Sequence, residues 1–270
     1  MNSLNFSGPP FVDAPPCDQN AISLFQEWAS MFPPAFKLSG NGKAALFEDP
    51  KITWLEEGLR KHQGVGVAGR NVVELGPLEA GHTYMLDRLG AKHIDSVESN
   101  SIAFLKCLVV KEVLGLPSAR FHLGNALPFL EAVKIPYNLG ICSGILYHMV
   151  DPLRLLRLLS SSCETIYLWS NTYSEELFRA QPHMRPRFGP PKEVTEEGFT
   201  YTLHPHSYGD VQNYSAFWGG VAPSSCWLTP ADIVRAVEHV GFRVLEVKHE
   251  DNPYGIALHV LASRVAPVPA

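Results

Sequence analysis

Val72-Val73-Glu74-Leu75-Gly76-Pro77-Leu78-Glu79-Ala80-Gly81-His82-Thr83 decides how this chain is read. An apolar run enters an acid, then a glycine turn, then the start of a helix. Downstream, Ser96-Val97-Glu98-Ser99-Asn100 closes a second apparent strand on another carboxylate. Two strands that end in turns with an acid at each tip predict a nucleoside-binding site. Gly76 lets backbone approach a ligand closely. Glu98 can accept two hydrogen bonds from a ribose diol, more strongly than a neutral side chain.

A dinucleotide fingerprint needs G-x-G-x-x-G at this turn, because a pyrophosphate must rest on a bare helix N-terminus. Here Leu78 takes the middle glycine position, and Glu79 brings a negative charge to where the pyrophosphate would lie. Like charges disfavour NAD or FAD. A cationic sulfonium ligand without phosphate, S-adenosylmethionine, fits better.

Working outward, the pattern becomes alternately strand and helix. Strands are predicted at 71–75, 93–98, 119–124, 137–143 and 165–171, and helices at 81–89, 101–115 and 151–161. Such alternation predicts a parallel sheet with helices on both faces. Asp151-Pro152 is a helix start with a capping acid and proline at the first position. Thr229-Pro230-Ala231-Asp232 opens another helix, which ends at Gly241, and strands follow at 242–248 and 255–262. Ahead of the alternating region, Ile22, Phe25, Trp28, Ala29 and Phe32 repeat at helical spacing behind an Asx cap. That predicts a helix over 21–32, stopped by Pro33-Pro34. A second helix is expected over 50–62. Residues 173–228 carry prolines, aromatics and histidines without long periodicity. A structureless loop of that length is improbable in a compact domain, so a folded insertion is expected. The domain plan is therefore a flexible arm 1–19, a helical cap 20–70, a catalytic domain 71–264 interrupted by 173–228, and a tail 265–270.

The chain resembles the class I S-adenosylmethionine-dependent methyltransferases. Glu74 to Gly81 resembles the family's first motif, and Glu98 matches the acid that holds the ribose hydroxyls. Gly124-Asn125-Ala126 matches the turn that contacts adenine, with Asn125 in place of the commoner Asp. Leu139-Gly140-Ile141-Cys142-Ser143-Gly144-Ile145-Leu146-Tyr147-His148 resembles the fourth motif, whose strand end lies beside the methyl donor. Four motifs in order are far more specific than any one. The resemblance implies a Rossmann-like α/β fold: a seven-stranded, mostly parallel sheet flanked by helices, with N-terminal helices, an edge hairpin and an insertion after the fifth strand. It implies S-adenosylmethionine as cofactor, held by Glu74, Gly76, Pro77, Gly81, Glu98, Ser99, Asn125, Ala126, Ser143 and Gly144.

Methyl transfer to a hydroxyl requires a base, and His148, just past the fourth strand, is the first candidate. A slightly stronger case makes it a structural residue that bonds backbone and shapes the turn. His204 and His206 are further catalytic candidates, while Tyr147, Tyr208 and Trp218 are candidates for the acceptor pocket. Tyr208, Tyr214, Phe217, Trp218 and Trp227 serve equally well as a small core for the insertion. A metal at His204, His206 and Asp210 is a minority reading, and no metal is expected.

The formal charge of −5 argues against a broad phosphate-binding surface, and hence against nucleic acid. That weakens an alternative suggested by Gly144 to His148 and the Asp-Pro helix, which are similar to wobble-uridine-modifying enzymes. A non-catalytic binding protein on the same fold is the other alternative. Five cysteines without C-x-x-C spacing read as reduced core thiols, and no signal peptide or membrane-spanning run is present. A cytoplasmic enzyme is expected, acting on a small-molecule acceptor such as a natural-product or sugar hydroxyl, with a homo-oligomer left open.

Overall fold

The computed structural model describes residues 11–209, 220–252 and 255–265. They form two compact units, one ending at Gly124 and the other beginning at Asn125.

The first unit runs α1 (Asp18–Ile22), α2 (Pro50–Gln63), β1 (Asn71–Leu75), α3 (Gly81–Arg88), β2 (His93–Glu98), α4 (Ser101–Leu114) and β3 (Ala119–Leu123). β1 pairs with β2 and β2 with β3, all parallel, so that Glu74 lies opposite Ser96 and Glu98 opposite Leu123. Parallel strands buried on both faces need apolar side chains throughout, and Val72, Val73, Leu75, Ile94 and Val97 supply them. Asp49 caps α2 and Asn100 caps α4 through backbone N–H groups of the first turn.

The helix predicted over 21–32 stops at Ile22. Beyond it the backbone donors are taken by side chains far along the chain: the Trp28 N–H by Asn41 Oδ1 at 2.8 Å, and those of Ala29 and Ser30 by Glu79. The aromatic spacing is spent on packing instead. Phe25, Trp28, Phe32 and Phe47 bury together against α4, with Trp28 edge-on to both neighbours.

The second unit runs α5 (Ala126–Glu131), β4 (Tyr137–Ser143), α6 (Pro152–Ser162), β5 (Cys163–Asn171), α7 (Glu175–Ala180), β6 (Lys192–Glu196), β7 (Phe199–Ser207), β8 (Ser224–Trp227), α8 (Pro230–His239), β9 (Phe242–Asn252) and β10 (Gly255–Arg264). β4 and β5 are parallel; β10 pairs antiparallel with both β5 and β9, giving the edge hairpin. The hydrogen-bonded order of the seven-stranded sheet is β3-β2-β1-β4-β5-β10-β9.

Within the 173–228 stretch, β6, β7 and β8 make a separate antiparallel sheet. β7 pairs with β6 through Leu203 and with β8 from His204 onward, so it changes partner just before Pro205, which has no N–H to give. Alternation along the strand then puts His204 and His206 on one face, with Trp227 and Ser225 directly across on β8. No helix among the described residues is long and apolar enough to cross a membrane. All five cysteines are unpaired.

Candidate active site

In the first unit the candidate loop follows β1, whose last two residues are Glu74 and Leu75. The carboxylate is buried, and its Oε2 accepts from Thr83 Oγ1 at 2.5 Å and Ser96 Oγ at 2.8 Å. Burial raises its pKa above the ordinary range, with His82 and the two hydroxyls acting against it. Glu74 thus pins the loop to β2 and α3 from beneath. Gly76 follows with φ of 70° and donates its N–H to Val97 O; a Cβ built there would meet nothing within 4 Å. The space above it is open.

Leu78 and Ala80 then take left-handed backbone, φ of 55° and 61°. Each costs a non-glycine residue on the order of 1 kcal/mol. The turn is held by Leu78 N–H to Glu98 Oε2 at 3.1 Å, Ala80 N–H to Pro77 O at 2.9 Å, and the Cys107 thiol to Leu78 O at 3.4 Å. Pro77 itself is buried. At the tip of β2, Glu98 Oε1 accepts from Asn100 N–H at 2.8 Å. Burial raises the Glu98 pKa, opposed by the N–H groups of Asn100, Leu78 and Ser99. Each carboxylate oxygen keeps lone pairs for a further donor. Ser99, beside it, is exposed.

Two residues of this loop do other work than the sequence predicted. Glu79 does not face a ligand. It is buried, takes the Lys106 ammonium at 2.8 Å, and accepts the N–H groups of Ala29 and Ser30 at 3.0 and 2.9 Å. Its charge is neutralised inside the unit, so the argument that it repels a pyrophosphate falls. Gly81 is a glycine for packing: a Cβ there would sit 2.5 Å from Leu46 Cβ and 2.6 Å from Leu46 backbone.

In the second unit, Asn125 caps α5, its Oδ1 accepting from Leu127 N–H at 2.9 Å, and stands exposed ahead of buried Ala126. β4 ends at half-buried Ser143. Gly144 has φ of 86° and donates to Trp169 O, with Tyr147 Oη 3.8 Å from where its Cβ would be. A 3-10 turn, Leu146–His148, carries Tyr147 and His148. It is tied to β8 by the Cys226 N–H on Met149 O at 2.7 Å.

Around that turn the rings close up. Tyr147 lies 4.2 Å from His148 and 5.5 Å from Trp227, centroid to centroid, and Phe188 lies 5.2 Å from Trp227 and 4.9 Å from His206. Tyr173 stacks on His204 at 3.4 Å. His148 Nδ1 is 2.5 Å from the Tyr208 hydroxyl. Burial pulls the His148 imidazole down to about 4, helped by His206, and burial with Arg187 nearby does the same for His206. Both rings are neutral at pH 7. Burial pushes the Tyr208 phenol up to about 12, so it stays protonated.

Four buried nitrogens on this face have no hydrogen-bond partner among the described residues: both of His204, Nε2 of His206 and Nε1 of Trp227. Leaving such groups bare costs on the order of 1–3 kcal/mol each, so they are places for water or ligand. The turn and the face thus unite Tyr147, His148, His204, His206 and Tyr208. Trp218 and its neighbours Tyr214 and Phe217 lie outside the described residues. Tyr173, Phe188 and Ser225 escaped the sequence reading. His204-Pro205-His206-Ser207-Tyr208 carried the signal, because alternate residues of a strand share a face. Among the described residues no group of three His, Cys, Asp or Glu is disposed to hold a metal ion.

Solved structures share this fold. The N-terminal domain of EvdMO1, crystallised in the presence of SAH and D-fucose, superposes with a TM-score of 0.63 at 18% identity, over 92% of this chain and 95% of that one. The chain has the class I S-adenosylmethionine-dependent methyltransferase fold. The same EvdMO1 domain with SAH bound gives 0.57 at 20% identity over 81% and 82% of the two chains. Magnesium protoporphyrin IX methyltransferase from Synechocystis PCC 6803, with bound SAH, gives 0.56 at 12% over 86% and 92%. No family model and no curated protein matches the chain.

Proposed function

We propose that this protein is an S-adenosylmethionine-dependent methyltransferase acting on a hydroxyl of a small molecule. The observation that carries the reading is the tip of β2. There the Glu98 carboxylate is steadied by the Leu78 and Asn100 N–H groups, beside the open space over Gly76. That is a fitting seat for a ribose diol. The SAH-bound neighbours of the same fold support the choice of nucleoside.

In this reading Glu98 takes the ribose hydroxyls. The family resemblance gives Ser99, Asn125 and Ala126 to the adenine and Ser143 and Gly144 to the sulfonium end. The bound cofactor supplies an electrophilic methyl group. The rest falls to side chains of this chain: holding the acceptor in line and taking its proton. We assign the base to His148, which follows the end of β4 within the ring cluster, its Nδ1 2.5 Å from the Tyr208 hydroxyl. The aromatic faces of Tyr147, Tyr173 and Trp227, with bare imidazole nitrogens between them, suit a hydroxylated ring. A sugar-like acceptor also accords with the neighbour crystallised with D-fucose.

Calorimetric titration with S-adenosylmethionine and S-adenosylhomocysteine tests the reading, wild type beside Glu98→Ala. Two charge-assisted bonds are lost, so affinity should fall about a hundredfold or more. Equal affinity in the two proteins would remove Glu98 from the site. No binding to a folded wild type would leave a binding protein on a methyltransferase fold.

A further inference from the structure

His204, His206 and Trp227 share one face of the β7–β8 pair. Alternate residues of a strand point the same way, and Trp227 lies directly across from His204. All three are more than nine-tenths buried. Yet both nitrogens of His204, Nε2 of His206 and Nε1 of Trp227 have no hydrogen-bond partner among the described residues. Each such orphan destabilises the fold, so a group of them on one face needs a reason other than folding. The face also lies beside the proposed base by two routes. Tyr147 is 4.2 Å from His148 and 5.5 Å from Trp227, while Tyr208 is 5.8 Å from His148 and 5.2 Å from His206, centroid to centroid.

Donors and acceptors decide what this face can bind. The indole N–H of Trp227 can only donate. Burial lowers the His204 pKa, opposed by Asp232, and pulls that of His206 down to about 4, helped by Arg187, so both rings are neutral at pH 7. A neutral imidazole has one N–H and one lone pair, whichever tautomer it takes. His204 therefore presents a donor and an acceptor, both bare. A carboxylate or phosphate only accepts, and would set its lone pairs against that of His204. An ammonium only donates, and would leave the Trp227 N–H unmet. A hydroxyl does both. The charges that act on the two rings, Asp232 and Arg187, are of opposite sign and give a charged ligand no net attraction.

We propose that His204, His206 and Trp227 hold hydroxyls of the acceptor that are not methylated, and so decide which hydroxyl reaches His148. The acceptor class is an uncharged ring that carries hydroxyls beyond the one methylated. Tyr173, stacked on His204 at 3.4 Å, and Phe188, 4.9 Å from His206, pack against the two imidazoles. A buried site that bonds a substrate hydroxyl rejects the analogue lacking it, because its own polar groups are then left bare. The three are specificity-determining residues. The fate of the methylated hydroxyl rests on the methyl-transfer reading; the polyol site does not.

Two measurements on the full chain test the site. Thermal melting compares the wild type with His204→Phe, which keeps a ring against Tyr173 and removes both bare nitrogens, and with His204→Met, which covers the case of a ring too large to fit. At least one variant should melt higher, by about 2–6 °C, because the orphan groups are gone. Calorimetry then titrates each protein with S-adenosylhomocysteine, and afterwards with methyl glucoside, galactoside and mannoside, each beside its matching uronide. At least one uncharged glycoside should bind the wild type about tenfold or more tightly than its uronide and lose about tenfold or more in the variant, with cofactor affinity held within about twofold. If both variants melt below the wild type, water already satisfies the nitrogens and the proposal is overturned. It is overturned too by a glycoside that binds the variant as well as the wild type, by a uronide that binds as tightly as its parent, or by a wild type that takes none of them. Failure of cofactor binding alone overturns methyl transfer and leaves the polyol site, whereas failure of the glycoside arm with cofactor bound overturns this inference alone.

Discussion

Lys106→Met is the sharpest test of how the loop after β1 is held. Lys106 Nζ sits 2.8 Å from Glu79 Oε1, with side chains only 9% and 2% exposed, and 5.3 Å from the centre of the Trp28 ring. Removing the cation leaves a buried carboxylate with two backbone N–H donors as its remaining partners. Breaking a buried pair in this way costs about 3–5 kcal/mol, and the surviving donors place this case at the lower end, about 3 kcal/mol. A domain of roughly this size loses about 2–4 °C per kcal/mol, so the melting point should drop about 6–12 °C. Glu79→Gln should cost a comparable amount, because it strands the ammonium instead. The double variant should recover about 1.5 kcal/mol or more relative to the sum of the singles. Urea unfolding followed by tryptophan fluorescence measures all three, and Trp28 reports from the site itself. Singles that each cost under about 0.5 kcal/mol and simply add would refute the buried latch. Glu79 would then face solvent, and its charge would again bear on ligand choice.

Gly81→Ala pushes a methyl into the Leu46 backbone and should destabilise by about 1–3 kcal/mol, read by the same unfolding curves. A neutral result would mean that the 46–48 turn yields easily. For pH, His148 and His206 have folded values near 4 against 6.5 unfolded, so the unfolded chain binds protons first as pH falls. Their contribution is whole above pH 6.5 and is lost as pH falls toward 4, at most about 3 kcal/mol for each ring. Glu74 and Glu98, with raised values, act in the opposite sense, so the contrast that matters is between proteins. Between pH 7.5 and 5, His206→Gln should lose less stability than the wild type, and parallel curves would show that His206 titrates normally in the fold.

The parallel core was legible because each of its strands obeys a local rule. Val72-Val73-Glu74-Leu75 is an apolar run with one acid that stops at a glycine turn, and Ile94 and Val97 lead to the carboxylate tip at Glu98; β1 and β2 fall where those patterns put them. The stretch from Phe25 to Phe32 has helical spacing too, yet its backbone is claimed by Asn41 and by Glu79, 13 to 50 residues away. No local pattern records such a partner. Glu79 misled for the same reason: its role is set by Lys106, 27 residues on. His204, His206 and Tyr208 could be picked out by type. What makes them an arrangement is pairing across to Ser225 and Trp227, and Pro205 hid the strand that does it.

The loop's departure from the glycine pattern now has a physical account. A left-handed turn normally falls to glycine because a Cβ there costs energy. At Leu78 and Ala80 that cost is borne by neighbours: Glu98 grips the Leu78 N–H, Cys107 the Leu78 carbonyl, and Glu79 between them is fastened to Lys106 and the Ala29–Ser30 backbone. Side chains thus enforce the conformation that glycine would merely permit. The carboxylate proposed to hold the ribose is one of the clamps. On that proposal the Leu78 N–H and a ribose hydroxyl act on the same Glu98 group, which would couple loop geometry to nucleoside binding. Loosening the loop at Lys106 should weaken the nucleoside as well as the fold, while Gly81→Ala, strained on the Leu46 side, should spare it. A Lys106→Met protein that binds S-adenosylhomocysteine as tightly as the wild type would separate the latch from the site.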